Sequence, residues 1–173
     1  SYFGKAKYDY KGKYFLAATA RIDGSSRFGA GNKYGTFPSV SAAWNVSEED
    51  FWKSSVINNL KFRTSWGQTG NQNIDNFVAQ GLYLPGYNYA GIAGIATAPN
   101  GLPNSGLTWE TTTQTNLGAD LSLFKGRLSL SADYWTKDTK DLLFQVALPN
   151  TSGYESFVTN IGEVSNKGFD FQL

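Results

Sequence analysis

The sequence contains neither cysteine nor histidine. Without thiols there is no disulfide framework and no thiolate metal site, and the redox compartment stays open. Without imidazole the commonest general base and metal ligand is missing. An excess of charge is lacking too: 15 Lys and Arg stand against 14 Asp and Glu, a net charge of +1, which gives no reason to expect a nucleic-acid partner. No run approaches the ~18 consecutive apolar residues of a membrane-spanning helix. The first residues, Ser1-Tyr2-Phe3-Gly4-Lys5, hold no basic leader followed by an apolar stretch and are already in strand pattern. The last, Gln172-Leu173, follow closely on a turn-like segment, so both ends read as interior to a longer polypeptide.

What is present is alternation. The 173 residues are 40% hydrophobic with a mean hydropathy of −0.36, figures that suit one soluble domain. They suit a transmembrane barrel equally, because only alternate strand residues of a barrel touch lipid while loops and lumen stay polar. Aromatic residues make up 16%, with 10 Tyr and 12 Phe, which fits either aromatic girdles or a carbohydrate-binding surface.

Along the chain, Tyr2, Gly4, Ala6, Tyr8 and Tyr10 alternate with Lys5, Lys7 and Asp9. After the tight turn Lys11-Gly12-Lys13, Leu16, Ala18, Ala20 and Ile22 oppose Thr19, Arg21 and Asp23. A Gly-rich polar loop follows, with the cations Arg27 and Lys33 spaced between Phe28, Tyr34 and Phe37. Val40, Ala42, Trp44 and Val46 then return as a strand. Ser47-Glu48-Glu49-Asp50, followed by Trp52, Val56 and Leu60, reads as a capped short helical connection. Phe62, Thr64 and Trp66 resume the strand pattern. A long interruption, 69–107, is rich in Gly, Asn and Pro and carries Tyr83, Tyr87 and Tyr89. Leu117 to Leu123 and Leu128 to Tyr134 alternate about the turn Lys125-Gly126; 136–154 leaves the pattern; Asn166-Lys167-Gly168 reads as a turn before a last strand at Phe169, Phe171 and Leu173.

Strict up-and-down threading places the connections at 11–13, 47–59, 125–126 and 166–167 on one side, and the long segments 24–37, 69–108 and 136–157 on the other. Short turns on one rim and long loops on the opposite rim are the asymmetry of an outer-membrane barrel. The fold expected is therefore all-β, an antiparallel up-and-down transmembrane barrel segment of about eight strands from a larger barrel, with one short helical connection.

Several site-like patterns resolve into turns or caps. Gly24 to Lys33 contains two glycines at P-loop spacing without the following Lys-Ser/Thr and without a helix. Asn71, Asn73 and Asp75 have calcium-loop spacing, but Asn76 and Leu82 stand where Gly and Glu are required. Glu48, Glu49 and Asp50 are adjacent acids at the start of the expected helix, where a macrodipole accounts for them better than a glycosidase pair does. No catalytic constellation, metal set or cofactor motif emerges, and the chain reads as a non-enzyme. Arg21, Asp23, Arg63, Asp120 and Asp133 fall on lumen-facing positions, as a solvated ion-paired wall or as polar guidance for a passing substrate. Tyr83, Tyr87, Tyr89 and Trp109 are candidates to stack on ligand rings, or to pack loops and line a girdle.

The run Arg21-Ile22-Asp23-Gly24-Ser25-Ser26-Arg27-Phe28-Gly29, then Asn32-Lys33-Tyr34-Gly35-Thr36-Phe37-Pro38-Ser39 and Ala43-Trp44, resembles the barrel of SusC/RagA-type TonB-dependent outer-membrane transporters. The likeness continues at Leu60 to Gln72 (LKFRTSWGQTGNQ), at Trp109 to Asn116 (WETTTQTN) and at Asn160 to Gly168 (NIGEVSNKG), spanning nearly the whole chain in order. The resemblance implies a partial barrel domain over 1–173, taken from a plugged barrel of roughly 22 strands. It implies an outer-membrane location, contact with outer-membrane lipid, import of an oligosaccharide or peptide substrate, and a SusD-like surface lipoprotein as lid. TonB, ExbB and ExbD would act through N-terminal parts outside this chain. The rival readings are a small stand-alone outer-membrane barrel serving as anchor or adhesin, and a soluble carbohydrate-binding β-sandwich.

Overall fold

The computed structural model describes residues 1–97 and 102–173, with only the backbone of Tyr89 and Thr97. Eleven strands follow one another among them: β1 (Tyr2–Tyr10), β2 (Tyr14–Gly24), β3 (Tyr34–Asn45), β4 (Ile57–Asn71), β5 (Tyr83–Tyr89), β6 (Ile92–Thr97), β7 (Glu110–Leu123), β8 (Leu128–Lys140), β9 (Leu143–Ala147), β10 (Ser156–Asn160) and β11 (Glu163–Gln172). Seven form one antiparallel sheet in the order β1-β2-β3-β4-β7-β8-β11, and the other four make two separate hairpins, β5-β6 and β9-β10. The sheet does not close on itself: β1 and β11 each keep one unpaired edge among the described residues.

Register converts the sequence alternation into two faces. One row runs Tyr10, Tyr14, Trp44, Phe62, Ala119, Ala132, Phe171 across all seven strands, and the next runs Tyr8, Leu16, Ala42, Thr64, Leu117, Tyr134, Phe169. Cross-strand partners share a face, so over these two rows this side is apolar except for Thr64. The opposite side carries the row Lys5, Thr19, Ser39, Gly67, Gln114, Lys137, Asn166 and the row Asp9, Phe15, Ala43, Arg63, Gly118, Asp133, Asp170. The large hydrophobic side chains of the first face are exposed, among them Leu16, Val40, Trp44, Phe62 and Leu117. In water that surface would be an aggregation liability; against lipid it is satisfied.

The connections obey the expected parity. Residues 11–13, 46–56 and 124–127 join strands on one rim, while 25–33, 72–109 and 141–162 join them on the other. Three sequence expectations are corrected. The connection after β3 is a three-residue 3₁₀ turn, Val46–Glu48, entered from Asn45 without a side-chain cap, and Trp52, Val56 and Leu60 do not share a helix. Its residues are held by neighbouring strands instead: Asn45 donates its backbone N–H to the Lys13 carbonyl, and Val56 accepts from Phe124. Asn166-Lys167-Gly168 is not a turn but lies inside β11, where Gly168 lets the Trp135 ring pass; a Cβ there would meet Trp135 Cζ2 at 2.7 Å. The wall has seven strands where about eight are expected, because Ser156–Asn160 forms β10 in a loop hairpin and the wall resumes only at Glu163 with β11.

The only hydrophobic core among the described residues lies under the long-loop rim, and Phe37 of β3 is its one member from the sheet. Phe28, Phe37, Ile74, Ala79, Leu107 and Trp109 are buried together, with Val78, Leu143 and Val158 packed against them.

Candidate transport surface: loop platform, polar wall and rim

The motif loop between β2 and β3 is shaped by its own backbone first. Ser25 donates its N–H to the Lys33 carbonyl, Asn32 to that of Gly29, and the Ser25 hydroxyl accepts from the Arg27 N–H. This fold drives Phe28 inward until it is fully buried, its ring 5.2 Å from that of Trp109, which in turn meets Phe37 edge-on at 5.5 Å. The loop then clamps its neighbours. Arg27 Nη1 donates to the Ile74 carbonyl at 2.8 Å, and Asn32 Nδ2 to the carbonyls of Leu107 and Gly106. Gly29 lies so close to the next loop that a Cβ would sit 2.4 Å from the Ser105 carbonyl oxygen. Asn160 Nδ2 donates to the carbonyls of Thr108 and Asp141, which ties in the third loop.

The motif residues thus divide. Ser25, Arg27, Phe28, Gly29 and Asn32 build the platform, and Arg21 pairs with Asp23 at 2.7 Å along β2. Gly24 lies beneath the Tyr34 ring, and Gly35 stands against Phe37 and Trp109. Ser26, Lys33 and Tyr34 remain exposed. Of the four aromatics expected either to stack on a ligand or to pack loops, Trp109 is only 9% exposed, so neither ring face is open to a ligand and it packs the loop core. Its indole N–H is buried without an acceptor among the described residues. Tyr83 and Tyr87, 68% and 49% exposed, stand on the β5-β6 hairpin beside Leu84, Ile92 and Ile95. The Tyr89 side chain lies outside the described residues. Sequence reasoning missed one trait of this region: no Asp, Glu, Lys or Arg occurs between Asp75 and Glu110.

On the polar face Arg63, Asp120 and Asp133 come together from β4, β7 and β8. Arg63 grips Asp120 with two bonds, Nε at 2.7 Å and Nη2 at 2.9 Å, and reaches Asp133 at 3.1 Å and the Ser131 hydroxyl at 3.3 Å. Gly118 makes room for this cluster, since a Cβ would lie 2.2 Å from Asp133 Oδ1 and 3.0 Å from Arg63 Nη2. Two carboxylates on one guanidinium leave the group net negative on an open wall.

At the short-turn rim the acids read as a helix start have a different task. Glu49 accepts from the Tyr14 hydroxyl at 2.5 Å, from Trp44 Nε1 at 3.0 Å and from Lys13 Nζ at 3.2 Å, beneath the stacked Tyr14 and Trp44 rings. The Tyr14 hydrogen bond, then that of Trp44, hold the Glu49 carboxyl below its usual range against the opposing effect of desolvation. Desolvation pulls Lys13 down, but its hydrogen bonds to Glu49 and Asp50 outweigh it and raise the ammonium. Because Glu49 is depressed in the folded state, its contribution is full above the unfolded carboxylate value near ~4.3 and is lost as pH falls through the folded one. Lys13, raised, contributes fully below about 10.4 and loses that as pH rises through its folded value. Denaturant unfolding of the wild type and of Glu49→Gln should therefore differ at neutral pH and converge in acid; a gap that persists unchanged below about pH 3 would refute the assignment.

Among the described residues no group of three or more Asp or Glu side chains is placed to hold a metal ion, and no helix is long and apolar enough to cross a membrane, which says nothing of a barrel. A seven-stranded antiparallel wall with one apolar, aromatic-banded face, one polar face and segregated turns and loops defines an arc of an outer-membrane-type β-barrel. The family described as TonB dependent receptor-like, beta-barrel, matches residues 1–173, and the chain belongs to it, within the SusC/RagA type. It is 45% identical to TonB-dependent receptor P39 of Formosa agariphila and 38% identical to TonB-dependent receptor SusC of Bacteroides thetaiotaomicron, in both cases over 100% of this chain. These alignments take in 17% and 18% of the relatives, so the chain spans under a fifth of their length. The structure of the RagAB peptide importer in its closed-closed state superposes over 98% of this chain and 18% of that one, with a TM-score of 0.86 and 30% identity. The siderophore receptor PirA from Pseudomonas aeruginosa, at TM-score 0.60 and 14% identity over 98% of this chain and 29% of that one, shares the fold alone.

Proposed function

We propose that this chain forms part of the barrel wall and extracellular loops of a bacterial outer-membrane transporter that imports oligosaccharides or peptides into the periplasm. The observation that carries the reading is the pairing of an apolar aromatic face with a polar, ion-paired face on one seven-stranded wall whose long loops all leave from one rim. The two unpaired edges, β1 and β11, bear exposed Tyr2, Phe3, Phe169 and Phe171, and long apolar edges of this kind call for further strands. In this reading the short turns face the periplasm, and the loop platform offers a seat for a SusD-like surface lipoprotein. Energy reaches the barrel from TonB with ExbB and ExbD through segments beyond this chain. Tyr83, Tyr87 and Tyr89 on the uncharged hairpin and the exposed Lys33 and Tyr34 are the residues offered to substrate or lid, while Arg63, Asp120 and Asp133 line the path. The chain itself carries no catalytic step.

Uptake tests this directly. Cells with and without the intact transporter are given labelled oligosaccharides and labelled peptides as alternatives. Loss of uptake of one class on deletion assigns the cargo, and unchanged uptake of both overturns the transport reading.

A further inference from the structure

The apolar face is not evenly filled. In the row that crosses all seven strands from Tyr10 to Phe171, Ala119 and Ala132 stand side by side on β7 and β8 between Phe62 on β4 and Phe171 on β11. In the row above, Ala42 and Thr64 precede Leu117 and Tyr134. The result is a trough of about 760 Å³ with a floor of small side chains. One wall is the stacked pair Tyr14 and Trp44 with Phe62; the other is Tyr134 against Phe169 at 4.8 Å, continued by Phe171. Three strand spacings separate Phe62 from Phe171, roughly 14 Å, wide enough for two acyl chains side by side.

Beyond the trough the same apolar face continues toward the rim as Leu121 beside Leu130, then Leu123 beside Leu128, up to the turn 124–127. That turn holds Lys125 and Arg127, both exposed, and no acid. From Ala119 to Phe124 the strand rises roughly 17 Å, or about 13 Å along the membrane normal at barrel tilt, close to the ~15 Å of one leaflet's hydrocarbon. A small-floored trough followed by an apolar strip, together of leaflet depth and ending at two cations, is complementary to one class of molecule.

We propose that this trough is a binding site for an anionic phospholipid of the leaflet at the short-turn rim, with its acyl chains between the aromatic walls and its phosphate against Lys125 and Arg127. The proposal rests on the outer-membrane reading above. Phe62 and Phe171 would hold the chains laterally, and Ala119 and Ala132 give them depth that larger side chains would remove. The neighbouring connection bears Glu48, Glu49 and Asp50, with Glu49 and Asp50 both bridged to Lys13, while the turn 124–127 itself holds two cations and no acid.

The test uses the full-length protein reconstituted into vesicles of phosphatidylcholine containing phosphatidylglycerol as a minor component. The vesicles are floated, and the lipids retained by the protein are read by native mass spectrometry. Phosphatidylglycerol should be enriched over its bulk share. Lys125→Glu with Arg127→Glu should reduce that enrichment by about fivefold per cation. Ala119→Phe should reduce it with both cations intact. Lys125→Gln with Arg127→Gln replaces the charge reversal if that variant does not fold, as judged by heat-dependent gel mobility. Retained lipid in the bulk ratio, or equal retention by wild type and variants, overturns the site while leaving the membrane reading in place. Failure of the folded wild type to float with vesicles overturns both.

Discussion

Replacing Phe28 by alanine should release the long-loop rim while leaving the wall folded. Phe28 is fully buried and meets Trp109 within the only core that the described residues form, so the substitution removes a large side chain with little room for collapse. Losses of this type cost about 3–5 kcal/mol. The cost should fall mainly on the loops, because every member of the core except Phe37 of β3 lies outside the seven-stranded sheet, whose strands are held by their own ladders. Hydrogen exchange on the full-length protein is the measurement. Amides of 25–33, 72–82 and 102–109 should exchange much faster in the variant, and those of β2, β3 and β7 should keep their protection. Uniform acceleration across wall and loops would show that the platform is not a separate unit.

The second large effect is expected at a glycine. Phe37 lies across Gly70 and Gly35 so closely that an added Cβ would come within 2.0 Å of its ring at Gly70 and 2.5 Å at Gly35. The ring cannot yield, being only 6% exposed and backed by Trp109. Gly70→Ala should therefore destabilise by about 1–3 kcal/mol through overpacking. The partner is identifiable by a double-mutant cycle: in a Phe37→Ala background the same Gly70→Ala change should cost almost nothing. Additive costs in the urea unfolding midpoint would mean that the strain lies elsewhere than at Phe37.

Much of the wall is visible in the sequence because a barrel strand is a period-two object. Once Leu16, Ala42, Thr64, Leu117 and Tyr134 are read as one parity, sheet register has only to align them. That Arg63, Asp120 and Asp133 share the polar face follows from the same parity. Their meeting does not, since it depends on which strands adjoin and on the space left by Gly118. The helix expected from Trp52, Val56 and Leu60 fails because three apolar residues at helical spacing are a weak signal. The Trp52 indole instead donates to the Ile57 carbonyl, and Leu60 is claimed by β4. Gly168 misleads in another way: its absence of a side chain accommodates Trp135 rather than bending the chain. The loop core is illegible for a physical reason. Phe28, Ile74, Leu107 and Trp109 come from segments far apart in sequence with no periodicity to mark them. Only the folded loops reveal that the motif's phenylalanine is an anchor and its arginine a clamp on Ile74.

Among the described residues the β5-β6 hairpin pairs with no other strand, and the segments that flank it are fastened through Ile74, Ala79 and Leu107. A tip joined to the wall only through a secured base behaves as a cassette. Changes in its residues are then carried by the secured base alone, and the seven-stranded wall beneath keeps its own ladders.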